Sequence, residues 1–530
     1  MGYTKGDDDD YGQSKAGCFK VRWAICVITL VMIFSLISTK ASLSLSIVAM
    51  TDPNYEDVPI ELTNGTKLPE GSDPPTIQVQ RNKHYINWTH STNDQLLEAT
   101  FIGAVLSPIP AGRISEKFGP RKVAFILALL AGVTMLLFPI AAQWSFQAAF
   151  AIRIIHGICV GCAAPCAHVL VSRWAPKYEK TLFVSIMNSG GLLANVITHP
   201  LVGLLSSSDF LGGWPAVFYI FGIIQLVTAF FWLFFVHDDP ESHPFISDAE
   251  RKEIIENRSS SSEDSNVSLP WRYVLTSAPV WALILSNFAW GWLESIISGL
   301  IPSFFKTVLD LPIEQNGLVS ALPYIVSIFS SNLISWTSDK LRSQGKYSTS
   351  ALRKFFADIG FIGSSLLLVG ATYVGRRTGL VVAFVVASKA IGVSQVAGCY
   401  IMHLDISPTY AGSLVGLMET SQNIASVIMN QAAALIVGDE PTLESWSNFF
   451  LITAGLSIFG THYFALLGSS KLQKWDPTFK TEEQAIEDDL NGDEVTQTMY
   501  DPSIIIKDSR RNTIVSMQFP PNLSQLNSSY

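Results

Sequence analysis

The stretch Gly112-Arg113-Ile114-Ser115-Glu116-Lys117-Phe118-Gly119-Pro120-Arg121-Lys122 decides how this chain is read. It joins two apolar runs, near 96–115 and 121–143, by a tight turn dense in charge. Gly119 can supply the turn's unusual backbone angles, and Lys117, Arg121 and Lys122 sit where a helix meets lipid headgroups. A degraded counterpart, Ser335 to Lys340 with Ser338-Asp339-Lys340, follows the eighth apolar run, and Arg353-Lys354 open the ninth. Two such loops at matching positions indicate a duplicated half. Ordinary positive-inside loops account for the cations but not for the recurring spacing of glycine, acid and base.

Outward from this loop, runs able to cross a hydrocarbon core of ~30 Å recur along the chain. They lie near 23–49, 96–115, 121–143, 146–172, 181–205 and 215–236, and then near 278–305, 316–337, 353–374, 379–404, 410–437 and 446–468. The layout predicts an all-α membrane protein of about twelve spans in two six-helix halves, 23–236 and 278–468. A tail over 1–22, an external loop over 51–94, a central loop over 237–277 and a disordered tail over 469–530 complete it. The central loop is polar and includes the low-complexity run Ser259 to Ser262.

Composition agrees. Of 530 residues, 48% are hydrophobic and 15% charged, and the mean hydropathy is +0.31, too apolar for an ordinary soluble multidomain chain. The formal net charge of −9 comes largely from Asp7 to Asp10, the first long loop and the tail after Glu482, which gives no nucleic-acid signal. The apolar run after Trp23 is too long for a signal-peptide core and lacks a small-residue cleavage site, so it is expected to stay as span one. Cys26, Cys159, Cys162, Cys166 and Cys399 lie inside apolar runs and only Cys18 outside, which leaves no extracellular disulfide framework.

Lys and Arg fall on alternate connections: Lys20 and Arg22, Lys117 to Lys122, Arg173 to Lys180, Arg251 and Lys252, Lys340 to Lys354, and Lys471 and Lys474. Both termini are therefore expected in the cytoplasm. Asn64-Gly65-Thr66 and Asn87-Trp88-Thr89 are glycosylation acceptors on the side that the charge rule makes external, so Asn64 and Asn87 are candidate glycan sites. Two chance sequons in a long polar loop remain the alternative.

The Gly112–Lys122 loop resembles the signature loop of the major facilitator superfamily, with Glu116 where Asp is commoner. From Arg22 to Asp476 the chain further resembles the anion/cation symporter family, which includes sialin, sodium/phosphate cotransporters and vesicular glutamate and nucleotide transporters. The stretches that carry it are Leu43 to Met50, Ser172-Arg173-Trp174-Ala175-Pro176, Gly213 to Tyr219, Asp239-Pro240 with His243-Pro244, Asn316-Gly317 with Leu322-Pro323-Tyr324, and His403-Leu404-Asp405-Ile406-Ser407-Pro408. The resemblance implies alternating access around a central cavity; no nonmembrane segment is suited to a soluble enzyme domain, so no enzymatic activity and no cofactor are expected. The resemblance also implies a conformational latch built from Gly112, Glu116, Lys117, Gly119, Arg121, Lys122, Asp339 and Lys340, with Glu116 accepting charged hydrogen bonds from neighbouring basic groups.

An ionisable group inside a span costs at least ~2.5 kcal/mol and persists only toward a cavity or a partner. The candidates are Lys40 in span one, Arg153, His156 and His168 in span four, Glu294 in span seven, and Lys389, His403 and Asp405 in span ten. Arg153 leads, because a guanidinium is always charged and its donor fork matches a carboxylate or phosphate. At ~100° per residue, His168 lies about 60° round the helix from Arg153, so the two can border one cavity at different depths. Snorkelling of Arg153 toward Trp144 and a hydrogen-bonded core role for His168 are the bland alternatives. The resemblance places the span-four Arg and His in the transport path and puts Lys40 where Arg is usual. Span seven is the counterpart of span one, so a Lys40–Glu294 pair across the cavity is a geometric possibility.

Some positions depart from the family. Val160 stands where many members carry a span-four acid, with Glu294 as a candidate replacement. Trp290 stands in place of an Arg of vesicular glutamate transporters, Ser295 in place of a Tyr and Met402 in place of an Asn. Cys159, Cys162, Cys166 and His168 have metal-like spacing, but small residues at tight helix contacts explain them and no metal is expected. The expected function is secondary transport of a small organic anion or inorganic phosphate through Lys40, Arg153, His168, Glu294 and His403, driven by a proton or sodium gradient. The expected partners are that anion, the coupling ion and the bilayer, with no nucleic acid and a monomeric state, in the plasma membrane or an endolysosomal or vesicular membrane. A nontransporting ligand sensor and an anion conductance are the alternatives.

Overall fold

The computed structural model describes residues 20–50, 86, 88, 90–206, 208, 210–258, 267–311, 313–438, 442–479, 506–508 and 513–515. Asn64 and Asn87 lie outside these residues. Twelve long helical segments follow one another, here called spans one to twelve. Ten are long and apolar enough to cross a membrane: Val21–Leu43, Pro120–Trp144, Phe146–Trp174, Lys180–Ser206, Trp214–Phe235, Ala278–Leu309, Leu318–Ser343, Thr349–Tyr373, Thr378–Ile406 and Leu443–Leu467. The other two are span two, His90–Leu106 bent into Pro108–Phe118, and span eleven, Ala411–Val437. These two carry Glu116 and Glu419, and they pack on each other at the boundary between halves.

The duplication expected from the two loops is visible in the packing. Spans one and five, two and four, and three and six pair within the first half; seven and eleven, eight and ten, and nine and twelve pair in the second. Spans five against eight and two against eleven form the seam between halves. Small residues let backbones touch, as membrane packing requires. A side chain at Gly190 would strike the Leu30 carbonyl, and one at Gly291 would strike the backbone of Gln422. Large apolar side chains such as Leu137, Phe234, Leu333 and Leu435 remain exposed on the outside, which is the arrangement that lipid stabilises.

Helical geometry breaks at three places that concern function. Span four is interrupted at Cys162, span seven turns into a π-helix over Ile296–Leu300 directly after Glu294 and Ser295, and span ten tightens into 3-10 turns at Val393–Val396 and Tyr400–Met402. Such irregular turns re-aim side chains and often mark working sites.

The seam is closed on the face where span one begins and span twelve ends. Glu116 Oε1 accepts from the Ser413 amide at 2.6 Å and Oε2 from the Ser413 hydroxyl at 2.8 Å. Asp339 Oδ2 accepts from the Leu182 amide at 2.9 Å. Ser413 and Leu182 are each the third residue of their helix, Ala411–Val437 and Lys180–Ser206. Each signature-loop carboxylate thus caps the positive N-terminus of a helix in the opposite half. Ser185 with Ser331 at 2.8 Å, and the Asn332 amide donating to Ser189 at 2.9 Å, extend the closure. Gly112 lies directly against the Gly412 carbonyl, so no larger residue fits at either position. Gly412→Leu is expected to wedge this face open. Maleimide labelling of Ser331→Cys, buried in the closed seam, should accelerate about tenfold for ~1.4 kcal/mol of lost closure.

The central loop and the tail are more ordered than their composition suggests. A helix over Asp248–Asn257 brings Glu250 to the start of span one, where it accepts from the amides of Val21 at 2.9 Å and Arg22 at 3.0 Å. Glu253 accepts from Arg22 at 3.0 Å and pairs with Lys20 at 3.1 Å. The Arg22 guanidinium beside Glu253 holds its carboxyl below the usual range. A carboxyl lowered in the docked state stabilises docking above its ordinary titration range, and that stability disappears as pH falls through the lowered value. A spin label at Lys252→Cys should therefore gain mobility on acidification, and Glu253→Gln should show that mobility already at neutral pH. The tail expected to be disordered from 469 is docked as far as 479. Asp476 is buried, accepting from the hydroxyls of Ser407 at 2.6 Å and Thr409 at 2.9 Å, and Trp475 stacks on Tyr410. Farther along, Ile506–Asp508 and Thr513–Val515 pair as a short antiparallel hairpin.

Candidate functional site

Arg153 is buried inside the first half, 1% exposed, with its guanidinium over Phe138 of span three at 4.2 Å and Phe218 of span six at 5.2 Å. Its Nε and Nη2 have no hydrogen-bond partner among the described residues. This overturns the snorkelling alternative: aromatic faces hold the cation within the bundle. One turn on, His156 Nδ1 meets the Thr134 hydroxyl at 3.1 Å, and the ring lies in electrostatic range of both Arg153 and Lys40. Lys40 sits over the Phe101 ring at 4.7 Å. The first half thus concentrates two cations around His156. The opposing charge that acts on Lys40 comes from Glu419 of the other half, without a direct ion pair.

His168 lies elsewhere. It stands on the segment Ala163–Trp174, fifteen residues or ~22 Å along the span from Arg153, and so meets different neighbours. The His168 ring meets His403 at 4.7 Å and Tyr400 at 5.3 Å across the seam. His403 Nδ1 contacts the Tyr400 carbonyl at 2.7 Å, while both nitrogens of His168 and Nε2 of His403 have no partner among the described residues. The Tyr400 hydroxyl donates to Glu419 Oε1 at 3.1 Å. Sequence reading brought forward His168 and His403 but missed Tyr400 and Glu419. A signal for Glu419 existed, because it is the sole charged residue of span eleven.

Glu294 forms an ion pair, but with Lys389 of span ten rather than with Lys40. The Lys389 ammonium also lies over Tyr324 at 5.4 Å and Trp290 at 5.8 Å. This pair belongs wholly to the second half. The reason is rotational: the correspondence of spans one and seven fixes their places in the bundle, not the direction in which each side chain points.

Of the expected latch residues, Gly112, Glu116 and Asp339 touch the opposite half. Gly119 has φ of +88°, as its turn requires, and packs against the Asp238 carboxylate. Arg121 donates to the Leu233 carbonyl at 2.6 and 3.0 Å, Lys117 lies over Phe118, and Lys340 lies over Trp336, all within their own halves. Lys122 and Lys340 are exposed. Glu116 does take a bond from Arg113 at 3.1 Å, but its partner across the seam is a backbone amide. Residues not singled out as latch members join instead: Arg342 and Arg353 pair with Asp405 at 3.6 and 2.9 Å, and Arg353 donates to Thr181 at 3.2 Å. The Cys162 thiol donates to the Ile158 carbonyl at 3.0 Å, and Cys166 contacts Ser115 at 2.9 Å, as small residues do at close helix contacts.

Two six-helix halves meeting at a polar seam, with cations held inside the bundle, define a membrane transporter. Residues 25–430 match the family profile described as Major Facilitator Superfamily. The chain is 30% identical over 459 residues to "Sialin" of Homo sapiens, covering 86% of this chain and 91% of that one. It is 30% identical over 395 residues to a "Putative inorganic phosphate cotransporter" of Drosophila melanogaster, covering 73% and 74%. The fold matches the solved proton:xylose symporter XylE with a TM-score of 0.61 at 16% identity, covering 85% of this chain and 97% of that one. The chain belongs to the major facilitator superfamily and, within it, to the family of sialin and the phosphate cotransporters. It is a multi-pass secondary transporter of a small substrate, not an enzyme.

Proposed function

We propose that the substrate is a small organic anion or inorganic phosphate, bound in the first half by Lys40 and Arg153 and moved by alternating access with a proton or sodium ion. The observation that carries this reading is Arg153: a buried guanidinium with two donors free of partners among the described residues and no carboxylate in contact. A buried charge left uncompensated costs several kcal/mol, and an anion that accepts from the fork offsets that cost. The relatives named for phosphate transport and the neighbouring Lys40 support the same sign of cargo. Trp290, in contact with Lys389, leaves span seven without the additional Arg expected of a glutamate carrier.

On this reading the protein works as a monomer with both termini in the cytoplasm, and the loop carrying Asn64 and Asn87 is external and glycosylated. Substrate enters from the face opposite the closed seam. Rocking then breaks the Glu116–Ser413 and Asp339–Leu182 caps and opens the face where span one begins. His168 and His403 lie between the cation cluster and that face, in the path. The test is uptake by purified protein in proteoliposomes of labelled phosphate, sialic acid, glucuronate and urate under imposed proton, sodium and voltage gradients. Saturable, gradient-driven uptake of one anion is expected. Binding without flux would instead make the protein a sensor, and nonsaturating current independent of a coupling ion would make it a conductance.

A further inference from the structure

Glu419 is an interior carboxylate that the proposed substrate site does not use. It stands on span eleven at the seam, where the neighbouring Thr420 and Asn423 donate to the carbonyls of Val105 and Ala104 of span two, each at 3.3 Å. The titratable groups that face it are few. Tyr400 of span ten donates its hydroxyl to Oε1 at 3.1 Å, and Lys40 of span one acts on it through space. Span two presents backbone carbonyls here, and span seven presents Asn287, whose side chain accepts from Gln422 at 2.9 Å. Behind Tyr400 come His168 and His403, whose free ring nitrogens can take up or pass a proton.

Glu419 is half-buried; the hydroxyl of Tyr400 and, through space, the ammonium of Lys40 both favour its ionised form, and of the two only the charge of Lys40 can be cancelled by an incoming anion. An anion that engages Lys40 cancels that charge. We propose that Glu419 is the proton-exchanging group of this transporter: binding of the substrate anion at Lys40 drives proton uptake by Glu419, and anion and proton cross together. The step is a proton transfer only. One proton from water on the loading side joins the Glu419 carboxylate; on the opposite side the anion leaves Lys40, the proton returns to water, and Lys40 again compensates Glu419. The inference rests on the anion-transport reading and narrows its coupling ion to the proton.

Two measurements separate the failure of one from the failure of the other. Infrared difference spectra of the reconstituted protein without substrate, recorded through a pH titration, should show the carbonyl band of a protonated carboxylic acid. That band should be absent in Glu419→Gln, present in Glu294→Gln, and shifted to higher pH by about one unit or more in Lys40→Gln, because loss of the cation favours the neutral acid. A band that survives Glu419→Gln, or one that Lys40→Gln does not move, overturns the proposal whatever the protein transports. In proteoliposomes loaded for uptake of labelled phosphate or sialic acid, Glu419→Gln should lose accumulation driven by a proton gradient yet keep counterflow of the same anion, while Glu419→Asp keeps both. Accumulation by Glu419→Gln equal to wild type overturns the proposal and leaves the transport reading standing. If the wild type moves neither anion under any gradient, the symport step falls with the transport reading, and the infrared titration alone decides whether Lys40 controls Glu419.

Discussion

Arg153→Ala should reduce saturable anion uptake by about 10²-fold, equivalent to ~3 kcal/mol of lost substrate stabilisation at a desolvated charge. The geometry gives the reason. Phe138 and Phe218 pack on the guanidinium, and its Nε and Nη2 donors, without a partner among the described residues, are left for a ligand. Arg153→Lys keeps the charge but loses the fork, so it should recover only part of the uptake, more for a compact anion than for a planar carboxylate. Removing a buried cation that has no ion-pair partner among the described residues also relieves a desolvation cost, so Arg153→Ala protein should be at least as thermally stable as wild type. Loss of uptake accompanied by loss of stability would mark Arg153 as a structural residue instead. Thermal unfolding in detergent alongside uptake in proteoliposomes separates the two.

Neutralising both helix caps should shift the protein toward the conformation open on the face where span one begins. Glu116 makes two charge-assisted bonds to Ser413, and Asp339 makes one to Leu182. A hydrogen bond to a charged group contributes ~1.5–3 kcal/mol. Glu116→Gln and Asp339→Asn should each move the closed-to-open ratio by about tenfold or more, and the two shifts should add, because the sites share no partner. Lys122 and Lys340, exposed at the ends of the two halves, are natural sites for spin labels. The distance between labels at Lys122→Cys and Lys340→Cys should lengthen in the double variant. Uptake should slow even as substrate binding persists, because the cycle must return through the closed state. If the label distance stays that of the parent, the caps do not hold the closure.

Local sequence carries much of this protein's description. Hydropathy is a one-dimensional property, so twelve spans, the break between halves and the repeated loop could all be read along the chain. The cost of a charge in lipid made Lys40, Arg153 and Glu294 conspicuous for the same reason. Glu419 carried the same signal, as the sole charge of span eleven, but its role depends on Tyr400 of span ten, a neighbour that hydropathy does not name.

The pairings were decided by tertiary structure alone. Glu116 meets Ser413 across 297 residues, and the Leu182 amide meets Asp339 across 157. A helix N-terminus attracts carboxylate through backbone amides that no residue type announces, so neither partner had a signature. Glu294 turned to Lys389 rather than Lys40, and His168 met His403 and Tyr400 of the other half. Each outcome depends on how a helix is rotated and where its regular geometry fails, and those quantities are set by packing between helices rather than along them.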